Sequence, residues 1–494
     1  MMNILLVYPQ YPDTYWSLKH ALRFISKKAA FPPLGLLTVS AMLPAEWNRK
    51  LVDMNVTPLA SEDIRWADYV FISAMLTQKD SAAKVINECR KHQTKVVAGG
   101  PLFTQDYASY PQVDHFILNE AELTLPPFLK DIREGLPPQR VYSTSEFADM
   151  AETPIPDYSL LPMKDYITMS LQVSRGCPFA CDFCEITSLL GHRVRMKPTH
   201  QVIAELDQLY RLSWRGFVLI VDDNFIGNKH EVKHNLLPAM KAWMQQHGHP
   251  FTFSIQVSIN LADDDELLSL MRDTGFTYTF IGIETPEEKA LKDCNKIQNN
   301  NRDLLQSVAK IQKAGLEVSA GFIVGFDSDT PSIFQRQIDF IQRSGIVSAM
   351  VGMLTAPKNT TLYNRLLSEN RLVNERPGNN TDFTTNFIPM MSYDELVEGY
   401  RTVVTSIYSV KPYYQRVRHY LRGFKRTKLQ RKRFELANLA AFVKSIFIIG
   451  IVKKGRAEFW KFLIWTLTRY PQMLTDAMTF AVYGYHYRKV YGIS

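Results

Sequence analysis

The sequence predicts an α/β protein in three parts. An amino-terminal doubly wound parallel sheet comes first, then a partial (β/α)6 barrel of the TIM type, then a mainly helical basic tail. Three observations predict this. Short apolar strand-like runs alternate with amphipathic helical stretches over residues 1–135 and again from residue 169, the pattern of parallel sheets covered on both faces. Pro137, Pro138, Pro154, Pro156 and Pro162 punctuate the stretch between the two series, which reads as a linker. Charge is also uneven: residues 411–494 hold 18 of the 57 Lys/Arg and 3 of the 49 Asp/Glu, a balance of +15, against −7 for the rest. The expected divisions are 1–135, a linker at 136–168, a barrel at 169–390 and a tail at 391–494.

In the first part, strands are expected at 4–8, 51–53, 69–73, 95–98 and 115–118, with helices at 34–43, 80–92 and 120–130. Ligands of such sheets sit beyond the carboxyl ends of the strands. Asp53, Ser73, Gly99 and Gly100 fall there. By itself Gly99-Gly100-Pro101 reads as a tight βα turn. No G-x-G-x-x-G fingerprint is present, which argues against a dinucleotide. In the second part, strands are expected at 169–173, 216–221, 251–257, 279–283, 318–325 and 347–354, separated by helices such as 201–212, 263–274 and 303–314. Function in barrels gathers at the carboxyl ends of the strands, where Asp222, Asp223, Gln256, Ser258, Asn260 and Glu284 lie. Some polar residues there, such as Asp263, also read as helix caps.

At 494 residues the chain accommodates two or three full cores. Its longest apolar candidate for a membrane span, 436–452, is interrupted by Asn438 and Lys444 and falls short of one. Five cysteines and no signal peptide point to a reducing, cytoplasmic setting.

The most informative motif is Ser174-Arg175-Gly176-Cys177-Pro178-Phe179-Ala180-Cys181-Asp182-Phe183-Cys184, a C-x3-C-x2-C run directly after a strand. Three close thiolates hold three irons of a cubane cluster and leave the fourth iron open to a ligand. Structural zinc wants four ligands; the other cysteines, Cys89 and Cys294, and the nearest histidine, His192, are not part of the run. Cys89 and Cys294 read as ordinary core or surface thiols.

With Phe183 before the last cysteine, this run resembles the signature of the radical S-adenosylmethionine (radical SAM) superfamily. The preceding sheet, with Phe31-Pro32-Pro33-Leu34-Gly35-Leu36 and Ala98-Gly99-Gly100-Pro101, resembles the cobalamin-dependent class of that superfamily. The region after residue 391 resembles the tail domain of hopanoid C-2 methylase-like proteins. The resemblance implies a [4Fe–4S] cluster on Cys177, Cys181 and Cys184, with S-adenosylmethionine on its open iron. It places Phe183 near the adenine, Glu284 at the ribose, and Gly321, Ile323 and Gly325 along the adenine, with Asp222 and Asp223 as paired acids nearby. Those acids read equally as a helix cap and a buried hydrogen bond. Asp53, Ser73, Gly99 and Gly100 would face cobalamin. The D-x-H-x-x-G motif of many cobalamin proteins is absent, and His20, His92 and His115 do not supply it. No residue is singled out as a proton donor or acceptor.

The implied activity is cleavage of S-adenosylmethionine to a 5′-deoxyadenosyl radical, which takes hydrogen from an unactivated carbon before cobalamin-dependent methylation. Radical cyclisation or oxidation without methyl transfer is the alternative. An RNA-modifying enzyme of the methylthiotransferase type carries a second cluster on three upstream cysteines, where this chain has only Cys89; a nucleic-acid partner is therefore disfavoured. A non-catalytic metal-binding module would need a fourth ligand. The implied electron donor is a flavodoxin or ferredoxin. In the tail, Arg416, Arg418, Arg422, Lys425, Arg426, Lys428, Arg431, Lys432 and Arg433 precede an apolar aromatic stretch. That pairing suits peripheral contact with the inner face of a membrane, and so a lipid-like substrate; a helical cap with a solvated basic face is the alternative.

Overall fold

A computed structural model describes residues 2–373, 382–424 and 436–493, without the side chains of residues 436–438. The basic run Lys425, Arg426, Lys428, Arg431, Lys432 and Arg433 lies outside the described residues. The first sheet contains β1 (Asn3–Tyr8), β2 (Asn48–Asp53), β3 (Tyr69–Ser73), β4 (Lys95–Gly99), β5 (His115–Ile117) and β6 (Val141–Tyr142) in the order β2-β1-β3-β4-β5-β6. Every pairing is parallel. Strand β6 comes from the stretch read as linker. Helix α1 (Lys19–Ile25) packs against helices at the carboxyl end of the chain, while α2 (Leu34–Met42), α3 (Lys79–Lys91) and α4 (Ala121–Arg133) accompany the sheet. Two buried clusters form on its two faces, one with Leu5, Val70 and Ile86 and the other with Ile4, Phe71 and Phe128. This is the doubly wound arrangement expected. Cys89 is fully buried on α3, and burial pushes its thiol up to about 12.

The second sheet is β7 (Thr168–Leu171), then β10 (Gly216–Ile220), β11 (Phe251–Val257), β12 (Phe276–Glu284), β13 (Glu317–Val324) and β14 (Ala349–Met353), all parallel and neighbours in chain order. This is the partial six-stranded barrel. The ribbon of β8 (Ser174–Arg175) and β9 (Arg195–Met196) stands between β7 and β10 in sequence. Helices α5 (Thr199–Arg211), α6 (Asp265–Thr274), α7 (Leu304–Lys313) and α8 (Ser332–Ser344) form part of the outer layer. On β13, Val318, Ala320, Phe322 and Val324 are buried in the main core, and Phe322 meets Phe340 of α8 edge-on at 5.9 Å. Alternation then turns Ser319, Gly321 and Ile323 toward the lumen. The cap of α6 is Asp264, which accepts from the Leu267 amide at 2.9 Å. Asp263, the expected cap, instead pairs with Arg302 at 2.8 Å.

Both barrel edges are covered. Beside β7, the amides of Ile167 and Thr168 donate to Ala29 and Ala30 at 3.1 Å each. Beside β14, Tyr400 and Tyr408 of α9 (Tyr393–Tyr408) donate to the carbonyls of Val351 and Ala349 at 3.0 and 2.6 Å. Helices α10 (Val410–Gly423), α11 (Leu436–Ser445), α12 (Arg456–Arg469) and α13 (Leu474–Val490) complete this layer. Their buried tyrosines, phenylalanines and leucines belong to the same hydrophobic cluster as the barrel, each such side chain contributing about 1.5–3 kcal/mol. The tail is thus a structural wall of the barrel. Arg416, counted in the basic run, is 1% exposed and donates to the Ile407 carbonyl at 2.8 Å. No helix among the described residues is long and apolar enough to cross a membrane.

Candidate active site

The cysteine loop fills the connection between β8 and β9, above the carboxyl end of β7. Gly176 begins it at φ 92°, and a Cβ there would lie 2.6 Å from the Arg193 carbonyl, so only glycine fits without displacement. The Cys177 amide donates to Gly191 (3.3 Å), the Asp182 amide to Cys294 (3.0 Å) and the Cys184 amide to Cys181 (3.0 Å). Asn295 Nδ2 holds the Ala180 carbonyl at 2.8 Å. Backbone amides of Phe179 and Ile186 hydrogen-bond to the thiols of Cys177 and Cys184. Burial pushes both thiols up, Cys184 to about 12.

A cation faces this sulfur-rich loop. Lys296 Nζ bonds Glu284 Oε1 at 2.6 Å and lies 5.9 Å from the Phe183 ring centroid. Burial alone lowers an ammonium, but Glu284 and the thiols of Cys181 and Cys184 hold Lys296 well above its ordinary value. Gln298 Nε2 approaches Cys181 Sγ at 3.6 Å. The donor set is therefore three soft sulfurs with amide donors and one buried positive charge, which suits a thiolate-held cluster. Among the described residues, no three His, Cys, Asp or Glu side chains are gathered around one point as a single ion requires. Cys294 lies beside the loop, but its thiol is directed at the Leu291 carbonyl at 3.6 Å.

Glu284 is in the left-handed region at φ 64°, where the pairing of β12 with β13 slips by a residue. A Cβ on Gly282 would meet Glu284 Oε1 and Lys296 Nζ, the latter at 2.8 Å, so the glycine leaves room for the pair. Asn299 Nδ2 donates to the Gly282 and Ile283 carbonyls at 3.0 and 2.9 Å, and Gln337 Nε2 to the Ile323 carbonyl at 2.7 Å. Ile323 and Phe183 join one apolar cluster with Phe326 and Cys294. Gly325 turns away at φ 99°, its amide held by Asp329 Oδ2 at 2.8 Å. Phe183, Glu284, Ile323 and Gly325 are thereby brought around one corner of the site, and Gly321 lies two residues down the lumen face of β13.

Asp222 and Asp223 separate in role. Asp222 is fully buried and accepts from the Val173 amide at 2.7 Å and the Ser174 hydroxyl at 2.6 Å, tying the strand to the start of the cysteine loop. Asp223 lines the cavity described below, and burial with repulsion from Asp222 raises it to about 7. Asp222→Ala removes an acceptor from two buried donors and is expected to cost about 2–4 kcal/mol, read by denaturant unfolding. Burial raises Asp222 to about 6 from 3.8. The native state then holds a proton that the unfolded chain has released, so this group's contribution to stability falls as pH rises from about 4 to about 6. Asp222→Asn should flatten that part of the stability profile.

A cavity of about 1280 Å³ joins the two sheets. Its upper wall includes Tyr8, Ser73, Gly99 and Gly100 at the carboxyl ends of β1, β3 and β4. Strand order reverses between β1 and β3, the place where such sheets bind ligands. The cavity continues past Gln172, Asp223 and Gln256 and down the lumen to Tyr278 and Glu317 at the amino ends of β12 and β13. There Phe480, Tyr483 and Tyr487 of α13 close it. Among the described residues, no histidine lines it. Asp53 departs from expectation: Oδ1 accepts from the Asn55 amide at 2.9 Å and Oδ2 from the Tyr166 hydroxyl at 2.9 Å, and Asn55 takes the place on the wall. Gly100, at φ 87°, is required by a turn in which a Cβ would lie 2.7 Å from Ser73 Oγ.

Buried ion pairs clamp the upper sheet to the cysteine loop. Arg175 reaches Glu122 Oε1 at 2.7 Å and Glu120 at 3.3 Å, while Arg195 reaches Glu120 at 2.6 Å. Gln105 donates to Glu185 at 2.9 Å. Sequence reasoning missed this clamp and Lys296. Their partners are 53 to 80 residues apart in the first case, and Lys296 sits in an irregular stretch without periodicity.

Residues 24–129 match the B12 binding domain, residues 171–341 the radical SAM superfamily, and residues 360–493 a domain of unknown function, DUF4070. The hopanoid C-2 methylase of Rhodopseudomonas palustris is 32% identical over 94% of this chain and 90% of its own length. The chain belongs to the cobalamin-binding radical SAM enzymes. A Synechocystis relative called an uncharacterized methyltransferase is 39% identical over 98% of this chain and 91% of its own. The structure of the cobalamin-dependent radical enzyme OxsB with aqua-cobalamin bound shares the fold at a TM-score of 0.64, with 14% identity, over 99% of this chain and 79% of that one. This radical SAM enzyme is of the methyltransferase type, and its cofactors are a [4Fe–4S] cluster, S-adenosylmethionine and cobalamin.

Proposed function

We propose that this enzyme methylates an unactivated carbon of a hydrophobic, polycyclic substrate. The single observation that carries the proposal is the continuous cavity from the strand ends of the first sheet to an aromatic floor at α13. It runs from the strand ends where cobalamin is expected into a lumen lined by Phe217, Leu219, Tyr278 and Phe280, an apolar space suited to an apolar molecule. The name of the hopanoid relative, a C-2 methylase, agrees with a carbon acceptor on a polycyclic lipid.

In this reading, Cys177, Cys181 and Cys184 ligate the cluster, and Lys296 offsets its negative charge. Phe183 packs at the adenine, with Gly321, Ile323 and Gly325 along it. Glu284 has one oxygen on Lys296 and directs the other to the ribose diol. Ser73, Gly99 and Gly100 form the bed for cobalamin, with Asn55 in place of Asp53. Asp223 faces the reaction space, while Asp222 braces the loop. When bound, the cofactors supply the hydrogen-abstracting radical and the methyl group. The protein's part is to hold the substrate carbon between them and to exclude water. A flavodoxin or ferredoxin is the reductant, and the tail meets a membrane surface.

The test is anaerobic turnover of the reconstituted enzyme with S-adenosylmethionine labelled in its methyl group and a bacterial polycyclic lipid extract. A lipid product carrying the label, formed together with 5′-deoxyadenosine, is expected. Formation of 5′-deoxyadenosine with an unlabelled, cyclised or oxidised product would replace the methylation reading.

A further inference from the structure

Helix α12 is apolar on both faces. Phe459, Phe462 and Leu463 are buried on the side that meets α10 and α13, with Phe462 stacked on Tyr414 of α10 at 4.8 Å, yet Trp460, Ile464 and Leu467 are exposed on the outer side, Ile464 at 57%. A helix at a water surface ordinarily turns polar residues outward. The neighbouring helix α11 and the π-helical turn Ile446–Val452 repeat the feature. Leu439, Val443, Phe447 and Ile451 recur every fourth residue and are exposed, Phe447 at 59%. The two elements are joined where Trp460 Nε1 donates to the Gly450 carbonyl at 2.9 Å. A Cβ on Gly450 would lie 2.9 Å from the Phe459 ring, so the two elements approach closely.

Charge identifies what this surface meets. Between residues 436 and 469 the basic residues are Lys444, Lys453, Lys454, Arg456, Lys461 and Arg469, and Glu458 is the sole acid. Glu458 is already paired with Lys461 at 2.6 Å. A second copy of the chain would set like charges against one another, whereas anionic lipid head groups complement them. Exposed Trp460 suits the head-group level, and Phe447 the acyl boundary beneath it. The surface also adjoins the cavity: Lys444 Nζ donates to Ser26 Oγ at 3.3 Å at the end of α1, and Leu18 and Leu22 at and within α1 line the cavity. Ile25 of α1 is exposed at 43% and extends the apolar face toward that wall.

We propose that α11, the π-turn and α12 form an interfacial docking element. It seats the enzyme on an anionic bilayer, with the α1 wall of the substrate cavity beside the lipid. This deepens the proposed function, resting on its apolar substrate class, by naming the partner from which the substrate is drawn.

The test is flotation of the full chain with vesicles of phosphatidylethanolamine and phosphatidylglycerol, alongside phosphatidylcholine vesicles. The wild type should float with the anionic vesicles, less with phosphatidylcholine, and less in high salt. Phe447→Asp combined with Ile464→Asp should weaken binding at least about tenfold, while 5′-deoxyadenosine formation stays unchanged. A wild type that stays with the soluble fraction, or a double variant that floats equally well, would overturn the proposal. So would light scattering that finds a wild-type dimer broken by the double variant, which would make the face a self-interface. Flotation needs neither cofactor nor turnover, so its outcome is separate from that of the labelling experiment.

Discussion

Cys181→Ala is expected to abolish cleavage of S-adenosylmethionine and to bleach the iron–sulfur absorption of the reconstituted protein, with the fold retained. The sulfur lies in a loop whose geometry is fixed independently of it. Amides at 177, 182 and 184 are held by the Gly191, Cys294 and Cys181 carbonyls, and alanine at 181 disturbs none of them. What is lost is one of three thiolates in a site with no fourth sulfur directed inward, since the Cys294 thiol faces the Leu291 carbonyl. Loss of an outer partner of a metal ligand typically costs 10–100-fold. Loss of the ligand itself should therefore lower 5′-deoxyadenosine formation by at least about a hundredfold. Cys89→Ala, in the core of the first sheet, should leave cleavage intact. Chromatography of the nucleoside product on both variants checks the pair.

Gly35→Trp should separate the two halves of the chemistry. Gly35 lies in the first turn of α2 on the wall of the upper cavity, and a Cβ built there meets nothing within 4 Å. An indole at this position projects into space that the corrin would occupy. The backbone does not resist the change, because glycine within a helix already costs roughly 0.5–1 kcal/mol relative to alanine. The variant should fold as the wild type does and retain at least about tenfold less cobalamin on purification, the factor that about 1.4 kcal/mol of overlap produces. Cleavage of S-adenosylmethionine should persist, since the cysteine loop and the Glu284–Lys296 pair are elsewhere. Corrin absorbance, thermal unfolding and 5′-deoxyadenosine yield, measured on the same preparation, check this.

Much of the architecture was legible because parallel strands buried on both faces are written as unbroken apolar runs, such as residues 4–8 and 251–257. Strand β6 was not, because two residues beside Pro137 and Pro138 carry no period. The cysteine loop was legible because its spacing is itself the chemistry. The hydrogen bonds of Asp53 were not legible, because an acid at a strand end has the same sequence appearance whether it faces a ligand or closes a turn. The asparagine two residues later is the mark of the turn. Asp222 and Asp223 looked equivalent, but adjacent residues at a strand end face opposite ways, and only one reaches the cavity. The basic tail misled for another reason. Charge counting treats Arg416 as solvated, while the fold buries it among tyrosines. Among the described residues, an exposed apolar stripe runs along α11 and another along α12.

The central claim is that three cysteine sulfurs leave one iron open for S-adenosylmethionine. Electron paramagnetic resonance of the reduced, reconstituted enzyme with and without S-adenosylmethionine tests it most directly. A [4Fe–4S] signal whose g-values shift on addition of the sulfonium, and which is lost in Cys181→Ala, is the predicted result. A signal indifferent to S-adenosylmethionine, or a protein carrying one fully ligated metal ion and no cluster, would contradict it.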